Sequence, residues 1–278
     1  MQILALILAL SNGPASDAEP ASSRTSGFET LTGFSTVLLA HINATLASEN
    51  LPVGMGVPVE PGVFVTLTRD RAMVFDESIV MLGKQRMVPA PECKSGCSSS
   101  FFEAFQRLWL DLAIESQALE LQLPGRVLFA ADALAPAHVL IDLAYAVAET
   151  RMGQPPQMAI VLNAGPAGLR SLPFFLLPPE GLTLRFGDRA LALTVTVEAA
   201  AFVLRSADPR MSRDIRVANR SELDALLRDV RRQHPGKTSI IIEAGRDATV
   251  KDVVGLALHV REEFTTLVLS AGQRVRIQ

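Results

Sequence analysis

Two cysteines, four histidines and a scatter of carboxylates are the residues from which this chain could build a reactive centre. Cys93 and Cys97 stand in Pro91-Glu92-Cys93-Lys94-Ser95-Gly96-Cys97. No other cysteine and no nearby histidine completes a tetrahedral zinc set, and three intervening residues are one too many for a thioredoxin-type motif. In an oxidising compartment the two can close a small local disulfide; otherwise both stay free. His41, His138, His234 and His259 show no paired metal spacing. His138 lies one helical turn from Asp142, and His259 one turn from Glu263, which reads as surface ion pairing. The chain holds neither a Gly-x-Ser-x-Gly elbow nor a His-Glu-x-x-His pair. No catalytic constellation is legible, and no cofactor or metal is expected.

Phosphate chemistry fares no better. His234-Pro235-Gly236-Lys237-Thr238-Ser239 has the tail of a phosphate-binding loop, but Arg231 stands where the first glycine is required. The segment also runs into a strand instead of out of one, so it reads as a turn. Asn163-Ala164-Gly165-Pro166-Ala167-Gly168 follows a strand, but Pro166 removes an amide donor; a strand-ending turn is the simpler reading. Arg205, Arg210, Arg213, Arg216 and Arg220 are interleaved with Asp208, Asp214 and Glu222, which makes a solvated mixed-charge face. Contact with anionic peptidoglycan or lipid is its sharper alternative. The net charge of −3 and the lack of interleaved aromatics exclude nucleic acid as a partner. Asp132 sits where a strand gives way to a helix, and Asp247 near the matching place later in the chain. Capping of a helix N-terminus accounts for both.

The elements that position these residues follow from periodicity. A helix from Ser221 carries Leu223, Leu226, Leu227 and Val230 on one stripe and Arg228, Arg231 and Arg232 on the other face. After Pro235-Gly236 comes a buried-looking strand, Ser239 to Ala244, then a helix near Thr249 and a strand from Thr266 to Leu269. The same order occurs earlier. A helix from Ser100, with Glu103 completing a capping box, ends at Pro124-Gly125 and buries Phe101, Phe105, Leu108, Trp109 and Leu112. Val127 to Ala131 is its strand, a helix starts near Pro136, and Ile160 to Leu162 is the second strand. Val63 to Thr68 alternates as a half-buried strand with Ala72 to Phe75 as hairpin partner and Asp70 and Arg71 at the turn. Leu191 to Val197 and Ala201 to Leu204 repeat that pair. Each half is therefore β-β-α-β-α-β, an α+β fold of two similar small domains, each a mixed sheet with two helices on one face.

At 278 residues there is room for about two domains of ~150 residues. Hydrophobic content of 49% with only 5% aromatic residues makes the core aliphatic and rules out a mainly disordered chain. Residues 1–18 begin with a short apolar run followed by small residues, as an export signal does, though without a basic start; a mis-set start that truncates a longer anchor is the alternative. The run is too short to cross a bilayer, which takes ~20 residues. Residues 19–57 hold a flexible leader, a helix over 28–47 and the start of a linker over 51–62. The first domain is assigned to 58–168 and the second to 182–278, with the proline-rich stretch between them as the boundary and Phe174 to Leu177 as an extra strand.

The unit strand, Ala-Asp, helix, strand resembles the periplasmic domain of the biopolymer transport proteins ExbD and TolR. Residues 126–151, with Ala131-Asp132, carry the better match; residues 237–272, with Ala244-Gly245-Arg246-Asp247, carry a looser one. The resemblance implies a non-enzymatic structural or coupling subunit of a transport or motility assembly driven by the proton-motive force. It implies a periplasmic or inner-membrane-associated location and a homodimer. Its partners would be an ExbB/TolQ-like channel subunit, a TonB-like protein or peptidoglycan, met through Asp132, Asp247, Arg228, Arg231 and Arg232. The family's membrane helix carries a proton-bearing aspartate, whereas residues 28–47 contain none, so that role is assigned to no residue here. Two other functions stay open. One is a periplasmic protein that binds a small ligand in a cleft between the halves, marked by an apolar pocket near 166–190. The other is a hydrolase that depends on Asp132 or His138.

Overall fold

The computed structural model describes residues 36–74, 77–81, 99–118, 125–150, 156–179, 181–184, 192–198, 200–207, 214–273 and 275–277. The pair Cys93 and Cys97, the export segment and the leader lie outside them. The aliphatic strands read from the sequence form one long mixed sheet. In the first half these are β2 (Val63–Leu67), β3 (Arg71–Val74), β4 (Glu77–Met81), β5 (Arg126–Ala131) and β6 (Gln157–Asn163). Helix α2 (Ser99–Ala118) precedes β5, and α3 (Ala137–Glu149) links β5 to β6. The second half repeats the order: β9 (Leu193–Glu198), β10 (Ala201–Ser206), β11 (Ile215–Val217), α4 (Arg220–Gln233), β12 (Ser239–Ala244), α5 (Val250–Val260) and β13 (Thr266–Ser270). Pairing repeats as well. β2 is antiparallel to β3 and parallel to β5, which is parallel to β6; β9, β10, β12 and β13 stand in the same relations.

The α+β class and the mixed sheet hold, but each half gains a third hairpin strand, β4 or β11. The separation into two small domains does not hold. β7 (Leu169–Leu176), lying in the stretch expected to divide the halves, pairs antiparallel with β6 and parallel with β13. The sheet therefore runs β11-β10-β9-β12-β13-β7-β6-β5-β2-β3-β4 without a break. A parallel β-α-β unit leaves the edge of its last strand open, and β7 supplies hydrogen-bond partners to both such edges at once. One contiguous hydrophobic core results, from Leu38 in the first half to Leu269 in the second.

A helix over 36–45, here α1, lies within the helix expected over 28–47 and buries Leu38 and Ile42. His41 is buried too, with its Nε2 3.1 Å from Thr66 Oγ1 and its ring 4.4 Å from that of Phe64. It is a satisfied core histidine. The expected linker over 51–62 is instead bound to the sheet: Leu51 and Val59 are buried, and β1 (Val57–Pro58) pairs with β7 at Ser171 and Arg170. Gly56 is needed there, because a Cβ would stand 2.2 Å from the Ser171 carbonyl oxygen. Glycine and proline mark close backbone approach here, not looseness. Two short strands, β8 (Leu182–Leu184) and β14 (Val275–Ile277), pair in parallel outside the main sheet.

Candidate functional site

At the Asp132 corner β5 hands over to α3. Asp132 is 4% exposed. Its amide donates to Leu67 O at 2.8 Å, its Oδ1 accepts from Leu134 N at 2.7 Å, and its Oδ2 meets Arg69 Nε at 3.0 Å. Both carboxylate oxygens are thus taken up inside the chain. The contact is a side-chain-to-backbone turn ahead of the helix, while Pro136 is the N-cap and carries no side-chain cap. Capping by Asp132 in the strict sense is therefore corrected to corner-turning. In the second half, Gly245 N donates to Val197 O at 2.7 Å, as Asp132 N does to Leu67 O. Gly245, not Asp247, thus occupies the matching place, and Asp247 is an exposed turn residue. The cap of α5 is Thr249, in a reciprocal box with Asp252.

The two helix entries meet. Ala137 N donates to Ala248 O and Val250 N to Ala135 O, both at 2.9 Å, around an antiparallel bridge between Pro136 and Thr249. Each half satisfies one orphan donor at the other's helix start. Beyond the bridge α3 packs on α5, and α2 packs on α3.

The arginine face of α4 lies along a groove of about 590 Å³ whose lining includes Glu263. Arg228 Nε donates to Asp224 O at 3.3 Å, Arg231 to the Lys237 carbonyl and Arg232 to the Asp229 carboxylate. The three guanidinium groups are exposed or half-buried, each with a partner close by in the sequence. His259 pairs across to Asp224 of α4 instead of with Glu263, because α5 ends at Val260. The 234–239 segment is a turn into β12, and Asn163 Oδ1 accepts from Gly165 N at 2.8 Å, so both phosphate-like motifs are turns. Among the described residues no group of histidines, cysteines and carboxylates is placed to hold a metal ion. Among them, too, no helix is long and apolar enough to cross a membrane.

One large concavity was not foreseen residue by residue. A cavity of about 1010 Å³ opens where β7 leaves β6 for β13, walled by Phe102, Met158, Pro173, Phe174, Phe175 and Leu177. At its inner end stands Tyr145 of α3, the chain's single tyrosine. Its hydroxyl donates to Leu177 O at 2.6 Å and lies 2.8 Å from Gln273 Oε1, fastening α3 to both sides of the seam. Burial pushes the Tyr145 phenol above its ordinary range. A lone tyrosine inside the aliphatic run of α3 was the one sequence signal for this site.

On the same helix, burial pushes the Asp142 carboxyl from 3.8 up to about 7. The folded chain then holds this proton more tightly than the unfolded chain does. Stability should therefore fall as pH rises between 3.8 and about 7, and level off above that. Asp142→Asn should remove the fall and, allowing for solvent screening at a partly exposed group, stabilise the protein at pH 8 by about 1–2 kcal/mol. Urea titrations of both proteins across that range would show it; parallel profiles would refute the assignment.

Set against protein-family models, curated proteins and solved structures, the chain matches none.

Proposed function

We propose that the chain is a non-enzymatic cell-envelope protein of the ExbD/TolR kind, a structural or coupling subunit of a transport or motility assembly. One observation carries this reading. The unit strand–corner–helix–strand stands twice in the chain, and its two occurrences face each other across the Pro136–Thr249 bridge. A dimer of single-unit proteins would make the same arrangement, and dimerisation is what the resemblance implies for the soluble domain. The better-matching residues, 126–151, fall on β5, the Asp132 corner and α3. Among the described residues the sheet ends on β4 and β11, whose outer edges offer unpaired backbone groups for strand addition. Partner contact then belongs to these edges and to exposed Asp247, Arg228 and Arg232, with Asp132 holding the corner from inside.

The test is capture from envelope extracts with the tagged chain in the periplasm. Recovery of an ExbB/TolQ-like channel subunit, a TonB-like protein or peptidoglycan is expected, and recovery of none of them would sink the reading. A second reading, a periplasmic carrier of a small ligand, is favoured by the cavity at the seam. That cavity takes Ser171 and Pro173 to Pro179 from the stretch where such a site was expected, but its other described walls come from the first half, not from a cleft between the halves.

A further inference from the structure

We infer that the seam cavity binds an uncharged, elongated hydrocarbon ligand of the neutral-lipid class. The inference deepens the carrier reading and does not depend on the coupling one. Three observations carry it. The first is size and wall chemistry: about 1010 Å³ is at the top of the usual range for ligand pockets, and the walls are phenylalanine, proline, leucine and methionine. Phe175 is 64% exposed at the cavity, so a hydrocarbon laid against it would remove aromatic surface from water.

The second is charge. Among the described lining residues Arg126 is the one cation. That guanidinium is already held by Glu60 and by Gln157 Oε1 at 2.6 Å. An anionic head group would meet no uncommitted cation among the described lining residues, which disfavours nucleotides, sugar phosphates and fatty-acid anions. The third is the inner end. The Tyr145 hydroxyl gives its proton to Leu177 O and keeps lone-pair capacity on its oxygen, so it can accept one hydrogen bond from a ligand hydroxyl. Few polar groups and a large apolar wall select for hydrocarbon held chiefly by burial.

The full chain, purified and stripped of lipid, is titrated with N-phenyl-1-naphthylamine, which is then displaced with monoolein or with oleate at pH 8. Saturable binding with one site per chain is expected, with monoolein competing at least tenfold better than oleate. Ala148→Trp, which fills the cavity from the half-buried outer side of α3, should weaken the dye at least tenfold. Phe175→Ser alters an exposed side chain, so it keeps the fold and should weaken binding several-fold if Ala148→Trp does not fold. Leu110→Ser, on exposed α2 surface away from the lining, should bind as the parent does. No saturable binding, oleate matching monoolein, or Phe175→Ser binding like the parent would each overturn the inference. Capture of a channel subunit is scored separately, so the coupling reading can fail or stand on its own.

Discussion

Val250→Pro should lower the unfolding free energy by about 2–3 kcal/mol and loosen the coupling between the two halves. Val250 is the first residue of α5, where proline is tolerated because that amide has no partner within its own helix. The preceding Thr249 already has φ −92° and ψ 164°, the extended backbone that a residue before proline prefers. The helix should therefore survive. What disappears is the amide that donates to Ala135 O across the bridge at 2.9 Å. Ala135 and Val250 are both fully buried, so the carbonyl left behind finds no water, at a cost of about 1–3 kcal/mol. Val250→Ala is the control: it trims the side chain but keeps the amide. In urea, Val250→Pro should unfold earlier than Val250→Ala and with a broader transition, as the halves begin to melt separately. Equal midpoints and equal slopes for the two variants would show that the bridge holds nothing together.

The second large effect is at Asp132, where two substitutions separate charge from hydrogen bonding. Asp132→Ala leaves the Leu134 amide without its acceptor at a corner where the side chain is buried. Loss of a charged acceptor at such a place costs about 2–3 kcal/mol, or a melting temperature lower by roughly 4–10 °C in a protein of this size. Asp132→Asn keeps an acceptor for Leu134 N and gives up only the pairing with Arg69, whose side chain is 56% exposed. An exposed partner contributes little, so this change should cost no more than about 1 kcal/mol. If Asp132→Asn is as damaging as Asp132→Ala, the charge itself matters, and the carboxylate has a role beyond turning the corner. Partner capture by the Asn variant would then show whether that role is contact.

Local order was legible where side-chain chemistry is local. The stripe Leu223, Leu226, Leu227 and Val230 marks α4 because a helix repeats its facing side chains every three to four residues. Asn219 and Thr249 cap α4 and α5 through bonds spanning three residues; the helix start near Thr249 was read, and the start at Ser221 missed by one. The hairpin of β2 and β3 followed from its turn, with Thr68 N donating to Arg71 O at 2.9 Å, but β2 is buried on both faces and not half-buried. Strands β4 and β11 were missed. Glu77–Met81 mixes charge with apolar residues, and Ile215–Val217 is three residues inside an arginine-rich run, too short for a period to show. The 51–62 segment failed for another reason: glycine and proline mean a loop only when nothing packs on them.

By itself, the amino-acid order determined most of the segments that become helix or strand and the order in which they recur in the two halves. Those are properties of neighbours a few residues apart. Only the tertiary structure decided that β7 seals β6 to β13, that Gly245 stands where Asp132 does, and that Tyr145 ends a cavity at that seam. Each of these depends on backbone groups finding partners far along the chain. Strand edges carry the same amide and carbonyl whatever their side chains, so side-chain order cannot name which edge they will meet.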